Sequence, residues 1–401
     1  MVLVYFIRGS VFPWYLPVPF GAWIALNVLC LTVAAGIAIV GGGTWRAPWV
    51  IVLVAFVASI TQAEEIHTAL SRWIGLSLLM LALGPVILNP TALAIRAAAW
   101  RWTLNGVTGL TAIFVLWYTL HLPCPVGRAP FAAFMNQSMI LGPIAGLGVV
   151  IAAAHAVHGN SWRWGLLATL GLIPLLASGS RVAALAAGMA SCYLLIRRRP
   201  LLGAVLTLAF AVMLGYFLTR GENLTEGESL GGSLARKGLT NTRVELWESR
   251  ITEFKSSPLF GIGVAMGTGS GTAKEADGSI RVEPGSSYLA ILAMTGAVGT
   301  VAFFSALGLV LYGFMNLRRH APLDNDILVV AGIFLAVHGV AEGWILGFGS
   351  PLCFLFWLWL GKLGDASLPL LQANGLSNTR GYRRWFSRTG FQPMRVSARQ
   401  G

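Results

Sequence analysis

Residues 138–156 read SMILGPIAGLGVVIAAAHA, a run with no charged side chain. The apolar positions are continuous rather than alternating, and the run is close to the roughly 20 residues that cross a bilayer as a helix. Lipid offers no hydrogen-bond partners, so a crossing segment must satisfy its own backbone, and a continuous apolar run does so as a helix. Comparable runs lie on both sides of it. Apolar stretches between polar breaks predict spans near 20–40, 48–61, 72–88, 103–121, 138–156, 163–178, 181–196, 201–218, 286–313, 327–346 and 350–364. The segment 2–18 reads as a re-entrant or interfacial piece, because Arg8, Pro13 and Pro17 interrupt it, or else as a further span. The expected fold class is all-α: a polytopic membrane helix bundle of about eleven or twelve transmembrane helices.

Composition agrees. Of 401 residues, 56% are hydrophobic and 11% charged, against about 25% charged in a soluble domain. A chain that had to cover its own surface with polar groups could not manage this balance. Cys30, Cys124, Cys192 and Cys353 form no C-x-x-C pair, and no metal-ligand spacing is present. Neither a metal nor a cofactor is expected. Residues 1–10 are apolar from the start and lack a small-residue cleavage site, so no cleavable signal peptide is read there.

Basic residues set the orientation. If the loop of Arg197, Arg198 and Arg199 is cytoplasmic, sixteen Lys and Arg in short segments share that side, and four (Arg8, Arg72, Arg128 and Arg181) lie opposite. The net charge of +13 is then largely a topology signal and does not imply nucleic acid. This orientation makes 219–285 one large periplasmic loop, holding nine of the fifteen acidic residues. Within it, Val244, Trp247, Ile251 and Phe254 recur at helical spacing, Thr240 or Asn241 can cap, and Pro258 terminates. An amphipathic helix near 241–256 is expected, lying on the membrane surface or against the bundle. The transmembrane domain then covers 1–365. The tail 366–401, rich in Arg, Gly, Ser and Asn, reads as a disordered cytoplasmic segment near anionic headgroups.

Few side chains in this chain suit chemistry. Arg181 opens a span after Ser178-Gly179-Ser180, either as an interfacial arginine that snorkels to water or as an anion ligand. Arg243, Trp247 and Arg250 recur on the loop helix, either as a solvated face with a Trp anchor or as a second anion site. Planar guanidinium groups grip two phosphate oxygens at once, so Arg181 and Arg243 together suit a pyrophosphate. The glycines at 261, 263, 267, 269 and 271 have no preceding strand and no Lys-Ser/Thr, so they read as a flexible or close-packed loop rather than a nucleotide loop. Glu342 falls inside an apolar span with His338 one turn earlier, as a functional carboxylate or as a structural partner for an arginine such as Arg181. Asn136 and Gln137, with Arg128 nearby, add polar groups to an outer loop.

Taken in order, these pieces resemble the O-antigen ligase and O-antigen polymerase-like family over roughly residues 130–360. They are Asn136 before a span, Ser178-Gly179-Ser180-Arg181, Arg243-Val244-Glu245-Leu246-Trp247 with Phe254, Pro258-Leu259-Phe260-Gly261-Ile262-Gly263, and Ser287-Tyr288-Leu289 with Gly296 and Gly299. The resemblance implies metal-independent, inverting glycosyl transfer on the periplasmic face of the bacterial inner membrane. It implies a donor saccharide linked through pyrophosphate to undecaprenol, a glycan or lipid acceptor, and two leaving-group arginines at the positions of Arg181 and Arg243. The family's histidine before Tyr-Leu, the general base, is replaced here by Gly285. Glu283, two residues earlier, is the nearest carboxylate that could take its place, and Glu342 is the next. Asn136 and Trp247 complete the expected substrate contacts, with membrane lipids and polysaccharide assembly proteins as further partners. Two other readings are a transporter using Arg181, His338 and Glu342, which should show internal repeats that are not seen, and a non-catalytic partner of the assembly machinery.

Overall fold

The computed structural model describes residues 20–120, 131–135, 138–159, 161–201, 203–205, 207–208, 241–264, 267, 272–274, 280–282, 285–317 and 323–366. These are mostly helical. In chain order the helices are α1 (Phe20–Val40), α2 (Ala47–Ile60), α3 (Ile66–Ala82), α4 (Pro90–Leu120), α5 (Ser138–Gly159), α6 (Trp162–Ala177) and α7 (Arg181–Arg198). They continue with α8 (Asn241–Ser256), α9 (Ser287–Leu317), α10 (Leu323–Ala341) and α11 (Pro351–Ala366). Two short antiparallel pairs, β1 (Thr44–Trp45) with β2 (Ile87–Leu88) and β3 (Thr272–Lys274) with β4 (Ile280–Val282), join connecting segments. Among the described helices, α4, α5, α9 and α10 are long and apolar enough to cross a membrane, and shorter apolar helices surround them. The protein is a multi-pass membrane protein. The segment 2–18 and the basic tail lie outside the described residues.

Local chemistry sets the helix starts. Pro48 lies at the start of α2, where its missing N–H costs no hydrogen bond. Asn89 precedes α4 and its Oδ1 accepts from the Ala92 N–H at 2.6 Å, satisfying a free donor of the first turn. That cap shifts the expected spans. Helix α3 runs Ile66–Ala82 instead of 72–88, and α4 runs for 31 residues from Pro90 instead of beginning near 103. At ~1.5 Å per residue α4 is ~46 Å long, enough to carry Arg96 and Arg101 beyond the hydrocarbon.

Helix α11 is buried on every side from Pro351 through Leu360, as expected of a helix that is apolar all round. Trp49 of α2 meets Trp357 of α11 edge to face at 5.9 Å and Phe303 of α9 at 6.2 Å. Trp359 Nε1 donates to Leu328 O at 2.8 Å, tying α11 to α10.

Charged groups gather at one end of this core. Buried Arg96 holds Asp365 through Nε and Nη2, the latter at 2.6 Å, and its Nη1 donates to the carbonyls of Gly84 and Ile87. His158 at the end of α5, with Arg197 and Arg198 at the end of α7, converges on buried Asp326 in the first turn of α10 at 2.8, 3.0 and 2.7 Å. The ends of α5 and α7 thus meet the start of α10. The starts of α5 and α7 therefore lie with the end of α10, at the opposite end of the bundle.

Candidate functional site

Helix α8 lies against α9 and does not present the stripe expected from its apolar residues. Val244 is 38% exposed and Ile251 41%, while Arg250 is 1% exposed and Glu253 3%. The inward face is Arg243, Leu246, Trp247, Arg250 and Glu253, so Arg250 is no part of a solvated face. Polar residues can take that face because the charges neutralise each other: Arg250 Nη1 meets Glu253 Oε2 at 2.6 Å. Burial lowers the Arg250 pKa from its ordinary value, and the charge and hydrogen bond of Glu253 oppose that shift.

The glycine-rich segment after α8 is close-packed rather than flexible where it is described. Helix α9, expected as one continuous span, is interrupted at Gly296, whose φ of 65° and ψ of −169° break the helical ladder. The interruption frees backbone groups that lipid could not satisfy. Residues Pro258–Gly263 satisfy them. Ile262 and Gly263 donate their N–H groups to Ala293 O and Met294 O at 3.0 and 3.1 Å. In return, the N–H groups of Ala297 and Val298 donate to Pro258 O and Leu259 O at 2.8 and 3.1 Å. A Cβ on Gly261 would come within 2.4 Å of the Met294 carbonyl carbon, which is why glycine stands there.

Above this junction the candidate site assembles from three elements. Arg243 Nη2 of α8 meets Glu342 Oε1 at 2.5 Å, and both side chains are partly exposed. Glu342 is not inside a span: α10 ends at Ala341, and Glu342 opens a non-helical stretch running to Ser350. Ser287, at the start of α9, holds that stretch. Its Oγ donates to Glu342 O at 2.7 Å and accepts from the Trp344 N–H at 3.0 Å, so the backbone leaves the helix without losing its hydrogen bonds. Trp344 Nε1 donates to His338 Nδ1 at 2.9 Å, and His338 stacks on Phe334 at 5.8 Å. Trp247 Nε1 donates to Gly285 O at 3.2 Å, fastening α8 to the entry of α9. Gly285 has a φ of +69°, and a Cβ there would lie 2.7 Å from Leu246 Cβ. Its backbone does not accommodate the family's histidine.

Arg181 opens α7, half-buried, at the same end of the bundle. A Cβ on Gly146 of α5 would touch both Ala183 O and the Phe334 ring, so the first turn of α7 lies level with Phe334 of α10. From there Arg181 is two residues toward the end and Glu342 eight, a difference of ~9 Å of helical rise. Glu342 is paired with Arg243, not with Arg181. The structure therefore gathers Arg243, Trp247 and Glu342 into one cluster, with Arg181 at the same end of the bundle at the start of α7; Asn136 and Glu283 lie outside the described residues. The sequence reading did not single out Trp344 or the Arg250–Glu253 pair. The pair had a signal, an Arg and a Glu three apart on the face of Leu246. Among the described residues no group of His, Cys, Asp and Glu could hold a metal ion.

Arg181, Arg243, Trp247 and Glu283 lie in a segment that a known family describes. Residues 165–304 match the O-antigen ligase family. The O-antigen ligase-like segment starts within α6, takes in α7 and α8, and stops inside α9 at Phe304. It is narrower than the resemblance drawn from the motifs, and leaves Asn136, His338 and Glu342 outside. A search of curated proteins finds no match.

Proposed function

We propose that this protein is a glycosyltransferase of polysaccharide assembly, an O-antigen ligase or polymerase-like enzyme. Its donor is a saccharide carried on undecaprenyl pyrophosphate, and its acceptor a glycan or a glycolipid. The observation that carries this reading is the Arg243–Glu342 pair, a cation and a carboxylate held together where α8, α9 and α10 meet, with Arg181 at the same end of the bundle and the O-antigen ligase match across both arginines.

The chemistry follows from charge development. The acceptor hydroxyl oxygen attacks the anomeric carbon from the face opposite the pyrophosphate, so configuration inverts. The bond from anomeric carbon to pyrophosphate oxygen breaks, and undecaprenyl pyrophosphate leaves with one more negative charge than it bore as the diester. Arg243 and Arg181 stabilise that growing charge with planar paired donors. The hydroxyl proton passes to a carboxylate, Glu283 or Glu342. Asn136 and Trp247 bind the substrate. The reaction is metal-independent and takes place on the periplasmic face of the inner membrane.

Purified protein in lipid nanodiscs, given an undecaprenyl-pyrophosphate oligosaccharide with or without a lipid A–core acceptor, should release undecaprenyl pyrophosphate in step with saccharide joined to the acceptor or to a second donor molecule. Release with no saccharide joined to either would count against glycosyl transfer. Failure to release it with either acceptor class would sink the proposal.

A further inference from the structure

His338 is 1% exposed and stands one turn before the end of α10. Its ring is fixed on one face by Phe334 and at one edge by Trp344. An indole nitrogen can only donate, so His338 Nδ1 accepts and the ring is neutral with its proton on Nε2. That Nε2–H has no hydrogen-bond partner among the described residues. A buried donor left unmade is costly, and such a group in a native fold calls for an explanation. Nε2 sits on the ring edge away from Nδ1, and His338 is within electrostatic reach of Arg243. Glu342, which holds Arg243, follows four residues later.

We propose that His338 Nε2–H is a buried neutral hydrogen-bond donor to a phosphoryl oxygen of the polyprenyl pyrophosphate, a third contact to the group Arg243 holds. This assignment rests on the proposed function. A neutral donor adds something an arginine does not: it grips an oxygen without adding charge to a site where Arg243 is already shared with Glu342. Trp344 acts on this contact indirectly, as a positioning residue. By occupying Nδ1 it keeps the proton on the nitrogen that faces the ligand.

Two amides of different reach separate the two ring nitrogens. In His338→Asn the amide falls at the place of Nδ1, so the contact with Trp344 survives and the Nε2 donor is lost. In His338→Gln the amide nitrogen reaches the place of Nε2. The full chain in nanodiscs is titrated with undecaprenyl pyrophosphate and, separately, with undecaprenol. Expected is a loss of affinity for undecaprenyl pyrophosphate of about 10-fold in the Asn variant, the size of one hydrogen bond to a charged group, and less than about 3-fold in the Gln variant. Undecaprenol binding should be equal in all three proteins. A purely structural histidine predicts the reverse order, with Asn tolerated and Gln damaging, and that order would overturn the assignment. Unchanged undecaprenyl pyrophosphate binding in the Asn variant would overturn it too. If the native protein binds undecaprenol as tightly as undecaprenyl pyrophosphate, it is the proposed function that fails.

Discussion

Arg243 has one guanidinium and two claimants, the Glu342 carboxylate at 2.5 Å and the phosphate it is proposed to hold. Glu342→Gln should therefore tighten undecaprenyl pyrophosphate binding several-fold, measured by titration in nanodiscs. If Glu342 is also the base, transfer should slow by at least ~10²-fold. Unchanged affinity would mean that the two do not compete. Arg181→Ala and Arg243→Ala should each abolish transfer with normal membrane levels of protein, and lysine should rescue poorly because a point charge lacks the two-pronged grip. Normal polymer from either alanine variant would reduce that arginine to an anchor. Glu283→Gln, assayed alongside, decides which carboxylate takes the proton. Restoring the family's histidine should harm rather than help. Gly285→His forces a side chain into a left-handed backbone against Leu246, at a cost of ~1–2 kcal/mol or more, seen as a lower melting temperature and no gain in rate. The arginines were legible because charged residues are rare in so apolar a chain. Their pairing was not, since Arg243 and Glu342 are 99 positions apart.

Between the segment after α8 and α9 the contact is made by backbone groups, which a side-chain pattern cannot reveal. A search for apolar periodicity placed a helix near 241–256 but chose Val244 and Ile251 for its inward face. The observed face carries Leu246 with the Arg250–Glu253 pair, which lies as deep as any leucine. Arg250→Ala should be strongly destabilising, by ~3–5 kcal/mol, because it strands a buried carboxylate. The double change Arg250→Met with Glu253→Met should recover most of that loss. Thermal unfolding in detergent distinguishes these, and additive effects of the two single changes would argue against coupling. Gly296→Ala tests the junction itself. Its Cβ would lie 2.3 Å from Leu259 O, so the change should open the four bonds to Pro258–Gly263 and raise hydrogen exchange at Ile262 and Gly263. Glycines in an apolar run read equally well as close packing or as flexibility; which one holds depends on a segment more than thirty residues away.

Across the whole molecule the two ends differ in kind. One end is knotted by Arg96–Asp365 and by His158, Arg197 and Arg198 around buried Asp326, each acid held by more than one contact. The other carries the partly exposed Arg243–Glu342 pair beside the buried Arg250–Glu253 pair of α8. Asp326→Asn should thus lower the melting temperature while leaving the undecaprenyl pyrophosphate affinity of the folded fraction unchanged. The charge imbalance predicts the side each end faces: reporter fusions at Gly269 should be active in the periplasm and at Gly390 in the cytoplasm, and the reverse pattern would overturn the site's placement. The interrupted ladder of α9 also has a consequence for how the chain is made. Pro258–Gly263 leaves the ribosome before Ala293–Val298, so on the proposed topology the first partner has crossed the bilayer when the second enters it. Until the two meet, α9 carries free amides and carbonyls that lipid penalises. The finished membrane domain therefore depends on Pro258–Gly263 and α9 meeting after synthesis of both, and a ribosome stalled between the two would leave that segment without its mate.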